Sequence, residues 1–296
     1  LPGYEVLTID NDDAPVGRLL TRREALGLLS ATGVALLIAC RPDDGGRVPE
    51  ATTSPTGTVP PPAPQPTATA TGQPATPPAG ASQFPVPASS FGLPSCVAVP
   101  ALTEGPYFVD EKLVRSDIRT NADGSNPRPG VPLVLGFTVS RVGAGTCSPL
   151  PGAVVDVWHC DHLGRYSDVR DSAVGFDTSG QQFLRGQQVT DEHGRAGFVT
   201  VYPGWYPGRT VHIHFKVRAP GAGAPATTAE FTSQLFFDDS LTDRVYSLPP
   251  YSSRGARTVR NAGDGIYRRG GDQLVLDLVE AGEGYSGGFG LGLASG

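Results

Sequence analysis

Five histidines occur in this 296-residue chain, and two of them form His212-Ile213-His214 within the run Val211-His212-Ile213-His214-Phe215-Lys216-Val217. Residues two apart on a strand project from the same face, so both imidazoles point the same way. Two neighbouring imidazoles make a bidentate seat for a metal ion. Taken alone, the pair also fits a solvated or hydrogen-bonded strand face. Just upstream, Pro203-Gly204-Trp205-Tyr206-Pro207-Gly208-Arg209 is a turn that brings a tyrosine and an arginine next to the histidines. Earlier, Asp156-Val157-Trp158-His159-Cys160-Asp161-His162-Leu163-Gly164-Arg165-Tyr166-Ser167 ends a strand in a Gly turn followed by a tyrosine. Each tyrosine by itself also reads as a core or turn residue whose hydroxyl is capped by backbone. His159, His162 and His193 read as structural or solvated.

The elements that must position these residues are strands. Alternation predicts strands over Pro132–Val142, Ala153–Cys160, Arg195–Tyr202, Val211–Val217, Thr232–Phe237 and Gln273–Val279. Only Leu241–Leu248 reads as a short helix. Short strands joined by Gly- and Pro-rich connections predict an all-β fold, a two-sheet β-sandwich with long loops. Residues 96–296, about 200 in all, suffice for one sizeable core. The glycine-rich end, Gly282 to Gly296, reads as a trailing flexible tail.

The residues before this domain have a different character. Arg22-Arg23 precedes an apolar run, Ala25 to Ala39, that is shorter than the roughly 20 residues of a membrane-spanning helix. That order reads as a twin-arginine export signal over residues 1–40. Leu37-Ile38-Ala39-Cys40 resembles a bacterial lipobox, which makes Cys40 the acylated residue. The expectation is an exported chain, lipid-anchored on the outer side of the bacterial cytoplasmic membrane. Of the 29 prolines, 15 fall between Arg41 and Pro100, so residues 41–95 read as a semi-rigid Pro/Thr/Ala-rich linker. With Cys40 lipidated, Cys96, Cys147 and Cys160 remain, and one bridge plus one buried thiol is the simple solution. Cys96 with Cys147 is favoured because Cys160 lies in a strand pattern, although sequence alone leaves the pairing open. Net charge is −6, and from Cys96 onward 18 basic residues face 21 acidic ones with no basic stripe. That balance argues against nucleic acid as a partner.

The blocks quoted above resemble the intradiol ring-cleavage dioxygenases, the family of catechol and protocatechuate dioxygenases. That family shows a tyrosine after a Gly turn, a Pro-Gly-x-Tyr, and then Arg-x-x-His-x-His. Thr103-Glu104-Gly105-Pro106-Tyr107-Phe108 is similar to its entry segment, and Thr232-Ser233-Gln234-Leu235-Phe236-Phe237 to the strand after its histidines. The resemblance covers roughly Cys96 to Ser247. It implies a ferric ion, Fe(III), held by Tyr166, Tyr206, His212 and His214. It also implies a catechol-type substrate and O2, with cleavage between the two hydroxylated carbons to a muconate-type product. Tyr206 would leave the metal when substrate arrives, Arg209 would stabilise the charged ring, and Gln234 would face the substrate. Tyr107 and Trp205 would wall the pocket. Phenolate suits this assignment: tyrosine's ordinary pKa is about 10, and a trivalent cation drives its deprotonation. The competing reading is a non-catalytic exported β-sandwich, a binding or adhesion module, which leaves two tyrosines and a histidine pair without a role.

Overall fold

The computed structural model describes residue 91 and residues 98–143, 146–219 and 229–294. The export signal, Cys40, the linker and Cys96 lie outside the described residues. Eleven strands, named β1 to β11 in chain order, and one α-helix carry the described fold. One sheet has the order β6 (Arg185–Val189), β3 (Val154–Trp158), β8 (His212–Ala219), β9 (Ala229–Phe236), all antiparallel. The other is built around β1 (Pro132–Gly143). Its one edge pairs in parallel with β11 (Gly284–Ala294), outside which lies β10 (Leu278–Ala281). Its other edge pairs with β7 (Arg195–Val201) over the first half and with β2 (Thr146–Pro149) over the second. A two-stranded ribbon, β4 (Arg170–Asp171) with β5 (Phe176–Asp177), stands apart from both.

Strand alternation makes the core. Leu133, Leu135, Phe137 and Val139 of β1 are buried against Val155 and Val157 of β3 and Ile213, Phe215 and Val217 of β8. The Phe137 ring lies 5.4 Å from Phe215 in the opposite sheet and 6.1 Å from Phe198 in its own, at mutually tilted angles that suit aromatic pairs. These contacts hold two sheets face to face, as a β-sandwich requires. His159, just past β3, adds a polar tie: Nε2 lies 2.7 Å from Thr200 Oγ1 of β7 and Nδ1 lies 2.8 Å from the Cys160 carbonyl. Both ring nitrogens are satisfied by protein, which fits its structural reading.

The period of two that buries one face of the β3–β8–β9 layer sends Asp156, Trp158, His212, His214, Lys216 and Gln234 to the other. In a simple sandwich that face meets water. Here all six are buried, because the segment from Leu102 to Ile118 crosses over it. Its backbone pairs with Thr232 at one edge and with Gln187 at the other, and Phe108 packs on Trp158 at 4.8 Å.

Three expectations need correction or adjustment. The glycine-rich end is not a flexible tail: Gly284–Ala294 is a strand paired in register with β1 from Leu133–Tyr285 to Val142–Ala294. Phe289 and Leu291 face the core with a period of two, and the intervening glycines hid that pattern. Gln273–Val279 is not one strand: Gly271–Leu274 is a 3-10 turn, Val275 bridges Phe236, and the strand begins at Leu278. The helix α1 runs Asp239–Tyr246, because the Asp238 side chain accepts a hydrogen bond from Leu241 N and so fixes its start two residues early. Cys160 is a free buried thiol, whereas Cys147 is disulfide-bonded. Among the described residues, no helix is long and apolar enough to cross a membrane.

Candidate metal centre

Strand β8 supplies the two histidines. His214 pairs across to Trp158 on β3 and to Gln234 on β9. Its ring lies parallel to the Trp158 indole, 5.0 Å between centroids and 8° between planes. His212 is oriented through its other nitrogen: Nδ1–H donates to the Thr210 carbonyl at 2.6 Å, which leaves Nε2 as a lone-pair donor.

The two tyrosines arrive on loops. Tyr166 follows the turn after β3, and Tyr206 lies in the loop between β7 and β8. Two glycines let these loops nest. A Cβ on Gly164, whose φ is +77°, would collide with the Trp205 carbonyl and the Arg254 guanidinium. A Cβ on Gly204 would collide with the Asp161 carbonyl and the backbone of His162. Arg254 reinforces the arrangement by donating to the Trp205 carbonyl while stacking 4.5 Å over the Trp205 ring.

The result is a convergence on one point. Around His212 Nε2 lie His214 Nε2 at 3.1 Å, Tyr206 Oη at 3.2 Å and Tyr166 Oη at 3.4 Å. A single lone pair accepts one good hydrogen bond, fewer than the neighbours gathered around this nitrogen. Donors held at about 2.0–2.2 Å from a first-row metal lie about 2.8–3.5 Å from one another at octahedral to tetrahedral angles. The observed separations fit that range. Among the described residues no group of three His, Cys, Asp or Glu gathers in this way. A metal ion placed among these atoms would meet two imidazoles and two phenols, a combination that would suit a hard, highly charged cation better than zinc.

The four groups carry no charge of their own in this setting. Burial pushes the Tyr206 phenol up to about 12, against a smaller downward pull from Arg209, and burial raises Tyr166 well above the ordinary range. Both imidazoles are held neutral, His212 by burial and then Arg209, His214 by burial and then His212. The protein alone thus keeps all four groups uncharged, and a cation bound among them would favour the phenolates.

Of the four remaining expected site residues, Arg209, Gln234 and Tyr107 adjoin this cluster. Arg209 Nη1 lies 3.4 Å from His212 Nε2, and its Nη2 donates to Gln234 Oε1 at 2.5 Å. Gln234 is fully buried and donates from Nε2 to the Thr103 carbonyl at 2.9 Å. Tyr107 stacks on Tyr166 at 4.6 Å and donates from its hydroxyl to Asp171 Oδ2 at 2.5 Å. Trp205 is part-exposed and sits on Arg254, beside the Tyr206 loop. Sequence reasoning missed Asp264, Asn261, Thr210 and Asp171. Asp264 carries the only signal of the four: a buried Arg209 needs a carboxylate partner, and that partner lies in a turn-rich stretch 55 positions away.

Comparison with known proteins points the same way. A family model described as Dioxygenase matches residues 103–248. An intradiol ring-cleavage dioxygenase from Tetranychus urticae of known structure is 32% identical, with a TM-score of 0.56 over 67% of this chain and 94% of that one. The catechol 1,2-dioxygenase 2 of Acinetobacter lwoffii is 33% identical over 140 residues, which are 41% of this chain and 47% of that protein. The chlorocatechol 1,2-dioxygenase of Pseudomonas putida is 29% identical over 169 residues, 51% of this chain and 60% of that protein. The chain thus spans about half the length of these curated relatives. It belongs to the intradiol ring-cleavage dioxygenase family.

Proposed function

We propose that the chain is a ferric-iron dioxygenase that opens a catechol-type ring between its two hydroxylated carbons, adding both atoms of O2 to give a muconate-type product. The observation that carries this reading is the convergence of Tyr166, Tyr206 and His214 on His212 Nε2 within 3.1–3.4 Å. Those four residues would hold the iron, and the ion would supply the positive charge that favours a doubly deprotonated catechol. Tyr206 is the less buried of the two tyrosines, and as a metal-held phenolate its oxygen would take a proton from an incoming catechol hydroxyl. Arg209 places a fixed positive charge beside the cluster, where negative charge develops on the ring. Trp158, Phe108 and Tyr107 close the buried side and keep water from it. A non-catalytic binding module would have no use for four donors gathered at one point.

Purified protein loaded with ferric iron is expected to be burgundy from phenolate-to-iron charge transfer and to consume O2 with at least one member of a catechol panel. His212→Ala is expected to lose both colour and oxygen uptake. Colourless wild-type protein, or coloured protein idle with every catechol, defeats the proposal.

A further inference from the structure

Asp264 lies outside the four-donor cluster, in the turn that follows the 3-10 segment Asn261–Gly263. Its carboxylate is completely buried, and every lone-pair direction is used. Oδ1 accepts from Ile266 N at 2.7 Å and Tyr267 N at 2.9 Å, so that oxygen staples its own loop. Oδ2 is spent elsewhere: it accepts from Arg209 Nε and from Thr210 N, each at 2.8 Å.

Those two bonds lead to different parts of the centre. Arg209 is held at Nε by Asp264 and at Nη2 by Gln234, which leaves Nη1 as the nitrogen facing His212. Thr210 is held at its N–H by Asp264 and at its hydroxyl by Asn261, and its carbonyl accepts the Nδ1–H of His212. A planar guanidinium gripped at two nitrogens cannot swing, and a histidine gripped at Nδ1 cannot turn its ring. We propose that Asp264 is a positioning residue whose single oxygen Oδ2 fixes both the Arg209 guanidinium and the His212 ring, so that cation and metal-binding nitrogen keep one relation to each other. The inference rests on the function proposed above and extends it to a residue that touches neither metal donors nor substrate.

An ordinary structural carboxylate would affect stability alone, so the test reads two other quantities in the iron-loaded protein. The first is the rate at which a chelator strips ferric iron. The second is the anaerobic affinity for 4-nitrocatechol, in a cycle of Asp264→Asn, Arg209→Gln and the double variant. Asp264→Asn is expected to release iron about tenfold faster or more, and to weaken 4-nitrocatechol by a similar factor. In the Arg209→Gln background, Asp264→Asn is expected to change 4-nitrocatechol affinity less than about twofold, because the route through the guanidinium is already gone, while iron release still quickens about tenfold through Thr210 and His212. Equal losses of affinity in both backgrounds, or wild-type iron retention and affinity in Asp264→Asn, overturn the proposal. Should Asp264→Asn fail to fold by circular dichroism, Arg209→Lys decides the matter. One ammonium cannot reach both Asp264 and Gln234, so its affinity should fall about as far as that of Arg209→Gln, and retained affinity overturns the proposal. Wild-type protein that holds no iron or takes no catechol removes the proposed function first, which the wild-type arm shows separately.

Discussion

At the scale of single residues, the centre depends on which polar atoms are left free after the protein has satisfied the others. His212 spends Nδ1 on Thr210, and Arg209 spends Nε and Nη2 on Asp264 and Gln234. What remains is His212 Nε2, which faces the two phenols, and Arg209 Nη1, which lies 3.4 Å from that nitrogen. Asp264 shows how firmly this is built. Burial would raise its carboxyl, yet Arg209 and the surrounding backbone N–H groups hold it below the usual range. Tyr166→Phe tests the phenol's part in metal binding. The ring packs against Tyr107 and lies within the Trp158 cluster, so phenylalanine preserves those contacts. The variant should fold with a melting temperature close to wild type but hold ferric iron at least tenfold more weakly in chelator competition. Equal iron retention would remove Tyr166 from the donor set.

At the scale of elements, loops deliver the tyrosines and a strand delivers the histidines, with very different tolerances. Strand β8 holds His212 and His214 by its pairing to β3 and β9, so their common face follows from the pleat. The tyrosine loops have no such ladder and rely on close approach at Gly164 and Gly204. Gly204→Ala puts a methyl group into the backbone of Asp161 and His162, which must then move. The expected cost is about 1–3 kcal/mol in urea unfolding, together with lower iron content from a displaced Tyr206. An alanine variant as stable and as iron-rich as wild type would show that the loops do not need this contact.

At the scale of the whole molecule, the sandwich is closed by a strand from the far end of the sequence and braced by a buried histidine. The parallel partner of β1 is β11, so residues near 285–294 complete the sheet begun at Pro132. His159 spans the two sheets through Thr200, and burial lowers its pKa from 6.5 to about 4, the Cys160 carbonyl opposing and Arg185 adding to the effect. A histidine kept neutral in the folded state contributes stability that is complete above pH 6.5. That contribution is lost as pH falls toward 4, because the unfolded chain binds the proton first. A shift of this size is worth about 3 kcal/mol. The urea midpoint should therefore drop between pH 7 and pH 4.5, and His159→Gln should flatten that dependence whatever its effect at pH 7. An unchanged slope in His159→Gln would assign the acid sensitivity to other groups.

Sequence alone determined the features that depend on near neighbours. A spacing of two places His212 and His214 on one face, alternation marks β1, β3, β7 and β8, and the turn residues at Gly164 and Gly204 announce the tyrosine loops. The family resemblance joined these into a four-residue donor set. Tertiary structure alone decided the rest, because each item needs a partner distant in the chain. Asp264 looks like any aspartate between glycines until Arg209 lies 2.8 Å away. Residues 284–294 look like a loose glycine-rich end until β1 offers its edge, since glycine contributes no side-chain pattern and the hydrogen bonds come entirely from the backbone. The outward face of β3, β8 and β9 reads as a solvated strand face until the Leu102–Ile118 segment covers it. Local sequence sets which way a side chain points, and only the assembled chain sets what it meets there.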